Sequence, residues 1–222
     1  MKSTKSILFL SSMPESVVHH FPYDIIPLMK NLYHGSYIQN LNKVPPKESG
    51  HGKPYVYATT ELAFAAIFSV QVRNTFIAKW GRLKDNTPYF CEKRPGAFDL
   101  FYKGKQSSIY VLDGKNFFQN DNMWKEEYIS EREEPVLEEI RIEDVKEYLL
   151  QLEKEGQFKY ISFENRKEYF PTIEQEAIED ALKMIEKYGL ERALIAINKW
   201  RPDIIEEVEL KIKNEVPKRP SF

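Results

Sequence analysis

The sequence predicts an α+β body that carries an all-helical tail. Three observations predict it. Short β-branched and aromatic runs such as "YVYAT" and "SIYVL" alternate with helical patterns through the first three quarters of the chain. Gly and Pro cut those runs into short pieces. From Thr172 onward the apolar residues recur only at helical spacing. The chain has 222 residues, 42% of them hydrophobic and 30% charged, so it can bury a sizeable core. The division expected is a body over 1–168 and a helical extension over 169–222.

Residues 1–30 read as irregular, because Pro14, Pro22 and Pro27 limit helix, with "SILFL" as one strand. "NLYHGS" reads as a short strand ending in a turn at Gly35-Ser36. "NKVPPKESGHGKP" (42–54) has three prolines and two glycines and reads as a loop. "YVYAT" (55–59) is a strand. "TTELAFAAIFSVQVRN" then switches to helix, with Thr59 or Thr60 able to cap it through a hydroxyl. "AFDLFYKG" and "SIYVLDG" read as strands, the second closed by the Asp113-Gly114 turn. "EEYIS" is strand-like, and "PVLEEIRI" alternates as a half-buried strand should. "IEDVKEYLLQLEKEG" is a helix stopped at Gly156, and "FKYISFE" a strand.

In the tail, Thr172 and Gln175 after Pro171 make a capping-box pattern. Ile173, Ala177, Ile178, Ala181, Leu182 and Ile185 form its apolar stripe, and Gly189 ends it. A second helix runs from Leu190 to about Trp200. Pro202 breaks it, and Asp203 with Glu206 can cap a third.

Charge is unevenly spread. Residues 1–125 hold 16 Lys/Arg against 9 Asp/Glu, and residues 126–222 hold 16 against 25. A basic half attracts phosphate-bearing ligands, although the two halves can equally neutralise one another when folded. The single cysteine, Cys91, excludes an internal disulfide and a multi-cysteine metal site, and fits a reducing compartment. It reads as a packing residue. The apolar run Ile7–Leu10 is too short for a signal peptide or a membrane span, so a cytoplasmic protein without membrane contact is expected. No Gly-rich phosphate loop, nucleophile elbow or Walker-type lysine appears, which argues against an NTPase or serine hydrolase. His19-His20 lacks ligand partners at metal spacing, so no metal is expected. His51 reads as a loop residue and Arg73 as an exposed one.

Three segments taken together resemble the ADP-ribosyltransferase-like fold, in its diphtheria-toxin/poly(ADP-ribose)-polymerase branch with a His-Tyr-Glu triad. "LYHGS" is similar to that branch's strand-borne His-Gly-Ser/Thr. "KPYVYATTELAFAAIF" is similar to its strand with tyrosine followed by a helix. "EEYISEREEPVLEEIRI" is similar to its Glu-Tyr-hydrophobic-hydrophobic segment and following strand. The resemblance spans about residues 31–142. It implies a split β-sheet core with flanking helices, and NAD as substrate without a metal. ADP-ribose would pass to a protein, a nucleic acid or water. The small size and type of family suggest a bacterial or phage effector or toxin.

The resemblance implies roles one residue at a time. His34 would bond the nicotinamide ribose, and Gly35 would offer its backbone to the carboxamide. Ser36 would face the adenosine ribose. Tyr57 would stack on the nicotinamide, and Phe68 would form the opposite wall. Glu127 would be the catalytic glutamate, with Glu131 and Glu133 as rivals because "EREE" offers Glu-x-Glu spacing. Two features depart from the family pattern. Ala65 stands where the family commonly has a serine for the carboxamide, and Glu127 lies in a run of nine Asp/Glu from Glu126 to Asp144 that leaves the choice of glutamate open. The first motif does not match the arginine-centred branch, since Tyr33-His34 stands at that place.

Plainer accounts of the same residues stay open. His34 would be a strand-end histidine bonded to backbone, Tyr57 and Phe68 core aromatics, and Glu127 part of a solvated acidic run. Two other classes of function stay open with them. One is an inactive member of the fold that binds a nucleotide or protein. The other is an interaction protein whose tail (172–222) self-associates or pairs with a partner.

Overall fold

The computed structural model describes residues 31–48, 52–71, 74–121 and 123–215. The expectations for residues 1–30, His51 and Arg73 lie outside them. In chain order the body holds β1 (Leu32–Ser36), β2 (Lys43–Val44), β3 (Lys47–Glu48), β4 (Pro54–Ala58), α1 (Leu62–Ile67), β5 (Ala78–Arg82) and β6 (Pro88–Glu92). It continues with α2 (Ala97–Tyr102), β7 (Ser107–Leu112), β8 (Tyr128–Ser130), β9 (Glu134–Ile142), α3 (Val145–Lys154), β10 (Lys159–Ile161) and α4 (Arg166–Tyr169). The tail is α5 (Ile173–Tyr188), α6 (Leu190–Trp200) and α7 (Ile205–Glu215). The architecture is mixed α+β.

The strands form three small sheets, ordered β1-β7-β9-β2, β10-β6-β5 and β3-β4-β8. Among the described residues, one backbone bridge joins the first sheet to the third. Tyr33 donates its N–H to the Thr59 carbonyl (2.7 Å), and Thr59 returns a bond to the Tyr33 carbonyl (3.0 Å). Beyond that bridge β1 and β4 splay apart, and a cleft opens between them.

Several local expectations are corrected. "AFDLFY" is the helix α2, not a strand. Phe98, Phe101 and Tyr102 recur at helical spacing and are buried, while Asp99 and Leu100 are exposed. Aromatic content suggested a strand, but the burial period is helical. Residues 42–54 are not wholly loop, since Lys47 and Glu48 pair with Tyr55 and Pro54 in a two-residue ladder, and Lys43-Val44 pairs with β9. The hairpin of β5 and β6 turns at Asn86, which adopts φ 69°. The helix after β4 is short, and Glu61 rather than a threonine is its first cap residue, without a side-chain bond. The Thr59 hydroxyl instead accepts from Glu61 N–H at 3.3 Å. Thr172 makes no side-chain cap of α5 but bonds Glu176, and Asp203 turns back to Arg201 rather than capping α7.

The main core lies between α1, α2, α3 and the sheets, with Phe64, Phe90, Phe98, Phe101 and Phe158 buried in it. The tail packs on the body through a second apolar cluster in which Phe76 of the body meets Ala177, Ile178, Ala181 and Ile197. Ion pairs flank that contact: Lys79 to Glu176 (2.6 Å) and Lys93 to Asp180 (3.1 Å). Glu174 accepts from both Arg166 and the fully buried Arg201. Gly189, at φ 83°, makes the sharp turn from α5 to α6, a conformation that strains residues with a side chain.

Candidate functional site

The cleft between β1 and β4 measures about 580 Å³, within the usual range of about 300–1,000 Å³ for small-molecule sites. It brings together His34, Gly35 and Ser36 from β1, Tyr57 from β4, Phe68 just after α1, and Glu127 just before β8, and leaves out the rival glutamates Glu131 and Glu133.

Strand geometry sets which groups face the split. Tyr33 uses both its backbone groups toward Thr59, away from β7. In an antiparallel ladder successive residues direct their backbone groups to opposite sides. Gly35, two residues on, therefore turns its N–H and its carbonyl toward the same side, into the split. Extending the Tyr33–Thr59 register places Gly35 opposite Tyr57. The strands have parted there, and the His34 ring fills part of the gap. Its Nδ1 lies 2.6 Å from the Tyr57 carbonyl. A carbonyl only accepts, so Nδ1 carries the proton, and in the neutral ring Nε2 is the acceptor. The ring also stacks beside Tyr110, with centroids 6.5 Å apart.

Gly35 has a packing role too. A Cβ built on it would lie 1.8 Å from the Ala65 carbonyl oxygen and 3.0 Å from the Ser69 nitrogen. The glycine thus lets β1 lie directly on the main chain of α1. The absent side chain is required by this strand–helix contact, on the side facing α1, independently of any ligand. Ser36 is nearly buried and its hydroxyl accepts from Ile38 N–H at 3.1 Å, closing the turn that follows β1.

The inner wall is aromatic. Phe68 meets Trp80 and Trp124 edge-on at 5.8 and 5.6 Å, and Phe64 meets Trp124 at 4.8 Å. Trp124 lines the cleft and was not singled out from the sequence. It lies in a loop with no periodicity, three residues before Glu127. A turn bond from Glu127 N–H to the Trp124 carbonyl (2.9 Å) carries both onto the cleft.

The carboxylates separate by environment. Glu126, only 8% exposed, is held by Arg82, whose Nε and Nη2 donate to its two oxygens at 2.7 and 2.5 Å. Arg82 also reaches Glu61 at 3.2 Å, and these carboxylates, Glu126 first, raise its pKa against the opposing effect of burial. Glu126 is therefore committed to a structural clamp. Glu131 and Glu133 are exposed and outside the cleft, and Glu133 pairs with Lys43 at 2.8 Å. Of the three glutamates weighed from the sequence, Glu127 is the one at the cleft. Ala65 also lines it, and its methyl offers no hydrogen bond.

Cys91 is buried in β6, and burial pushes its thiol up to about 12. Among the described residues no group of His, Cys, Asp and Glu is placed to hold a metal ion, and no helix is long and apolar enough to cross a membrane. No family model, curated protein or solved structure matches the chain.

Proposed function

We propose that the chain is an ADP-ribosyltransferase-like protein of the His-Tyr-Glu type, which binds NAD in the cleft between β1 and β4 and cleaves its nicotinamide–ribose bond. The observation that carries this reading is that His34, Gly35, Tyr57 and Glu127 all line one cleft at the split between two sheets.

Each part suits that chemistry. A primary carboxamide offers a donor and an acceptor side by side, which the Gly35 carbonyl and N–H complement. Tyr57 and Phe68 supply flat apolar faces for a planar ring. The His34 ring, fixed by the Tyr57 carbonyl, keeps Nε2 as an acceptor for a ribose hydroxyl. When the C–N bond breaks, its electron pair leaves with the nicotinamide nitrogen and positive charge builds on the ribose. The Glu127 carboxylate stabilises that charge, and a preorganised charge at such a point is usually the largest catalytic contribution. The acceptor's lone pair then bonds to the anomeric carbon, and its proton passes to the carboxylate. A protein, a nucleic acid or water fits the acceptor role.

Incubation with NAD tests the reading. Wild type should release nicotinamide. Glu127→Gln should cut release by roughly 100-fold or more while NAD binding stays within a few-fold, and His34→Ala should weaken both. Absence of nicotinamide release together with absence of NAD binding by calorimetry would reject it. Ala65 favours a second reading, a member that binds the nucleotide without turnover, and NAD binding with no release from wild type is its signature.

A further inference from the structure

The outer end of the cleft is built differently from the inner end. Tyr37, the first residue after β1, is 49% exposed, although large aromatics usually bury more. Lys47 stands over its ring, with Nζ 5.7 Å from the centroid. Lys47 is the only Lys or Arg among the described residues lining the cleft, and no carboxylate among them lies within ion-pair distance of it. Glu48 follows it on the strand and borders the same end. Pro45 and the largely buried Tyr55 complete the wall.

The position of Lys47 is fixed by backbone. β3 pairs Lys47 opposite Tyr55, on one edge of β4, while β8 pairs Tyr128 opposite Ala58 on the other edge. Glu127 precedes Tyr128, so the cation and this carboxylate stand at opposite ends of β4, about 13 Å apart along the strand at about 3.3 Å per residue. Carboxylates border both ends of the cleft, Glu127 inside and Glu48 outside, and Lys47 is the one ammonium among its described lining residues. A phosphate in this cleft therefore has its cationic partner at the outer end.

We infer that this outer end is a nucleotide subsite, in which the Tyr37 face stacks a nucleobase and Lys47 bonds the attached phosphates. An exposed aromatic face with one adjoining cation is the arrangement that holds a base through its π-face and a phosphate through charge. The inference rests on the NAD reading for the inner end, but the outer end has its own probes. It assigns the ADP half of the substrate to Tyr37 and Lys47, which no sequence motif marks.

Calorimetric titration of the full chain with ADP-ribose and, separately, with nicotinamide tests it. Lys47→Ala and Tyr37→Ala should each weaken ADP-ribose roughly tenfold, the scale of one lost base stack or phosphate contact. Nicotinamide affinity should stay within about twofold, since the inner wall is untouched. Lys47→Arg and Tyr37→Phe should keep ADP-ribose affinity near wild type, because charge and ring are retained. In wild type, ADP-ribose affinity should fall with added salt, and Lys47→Ala should flatten that slope. Unchanged ADP-ribose affinity in both alanine variants overturns the inference and leaves the inner reading standing. So does equal weakening of both ligands. If ADP-ribose binds and depends on Lys47 while nicotinamide does not bind, the nucleotide subsite holds and the NAD reading falls. If wild type binds no ADP-ribose, the inference is wrong whatever nicotinamide does.

Discussion

Replacing Gly35 with alanine places a methyl where the main chain of α1 already lies. The added carbon would stand 1.8 Å from the Ala65 carbonyl oxygen and 2.8 Å from the carbonyl carbon, far inside van der Waals contact. Neither atom belongs to a side chain that can swing away, so β1 and α1 must move apart. Overpacking a core typically costs about 1–3 kcal/mol, and a main-chain obstacle puts this case near ~3 kcal/mol. For a chain of this size each kcal/mol lowers Tm by about 2–4 °C, so a fall of roughly 6–12 °C is expected in a thermal melt followed by circular dichroism. Trimming Ala65 to glycine should not rescue it, because the obstacle is the carbonyl rather than the methyl. A Gly35→Ala protein melting within about 2 °C of wild type would refute the close approach, and with it the account of why this position lacks a side chain.

Other outcomes follow from the same geometry. Glu131→Ala and Glu133→Ala should leave NAD affinity and any nicotinamide release within about twofold, since exposed ion pairs contribute little and neither residue reaches the cleft; a loss matching that of Glu127→Gln would move the catalytic assignment. Cys91 should resist iodoacetamide in the native protein at about pH 8 and react after denaturation, because burial holds its thiol up near about 12; full labelling of native protein would contradict its burial. Glu174→Ala leaves Arg166 and the buried Arg201 short of a carboxylate, and should cost about 3 kcal/mol in urea unfolding, the low end for a broken buried pair because Asp203 still holds Arg201; a cost under about 1 kcal/mol would remove the cluster from the account of tail docking. Acid should loosen the tail: burial pushes the Glu176 and Asp203 carboxyls up, but Lys79 and Arg201 respectively outweigh it and leave both below 4.5 and 3.8. Their stabilisation is therefore complete above those values and lost as pH falls through the lowered ones, and helicity that stays flat down to about pH 1 would count against these pairs.

The sequence carried most of the fold where one physical signal dominated. β1, β4, β7, β8 and β9 show strand composition or alternation and form where they were expected. α3, α5 and α6 show helical apolar spacing with a glycine or proline at their ends, and their bounds follow it. The failures occur where two signals compete. In "AFDLFY" aromatic content favoured a strand, but packing Phe98, Phe101 and Tyr102 on one side required a helix. In "VPPKE" the prolines favoured a loop, yet Lys47-Glu48 pairs with β4 through the two residues that follow them. α2 and β3 were each settled by contacts with distant segments, and no window of sequence contains those contacts.

The cleft shows the same division. His34, Tyr57 and Glu127 could be named because each sits on or beside a strand with a recognisable pattern. Trp124 could not, because its place depends on a loop turn and on two phenylalanines of α1 and its end. Arg82 was equally silent, yet it fixes Glu126 and leaves Glu127 as the neighbouring cleft carboxylate. Gly35 answers two demands at once. Toward α1 it lacks a side chain so that the main chains can touch, and toward β4 it presents an N–H and a carbonyl at the split. Only the first demand excludes other residues, since any amino acid except proline has the same backbone donor and acceptor. A glycine at this position is therefore evidence about packing. Evidence about the ligand has to come from the edge it exposes and from what binds there.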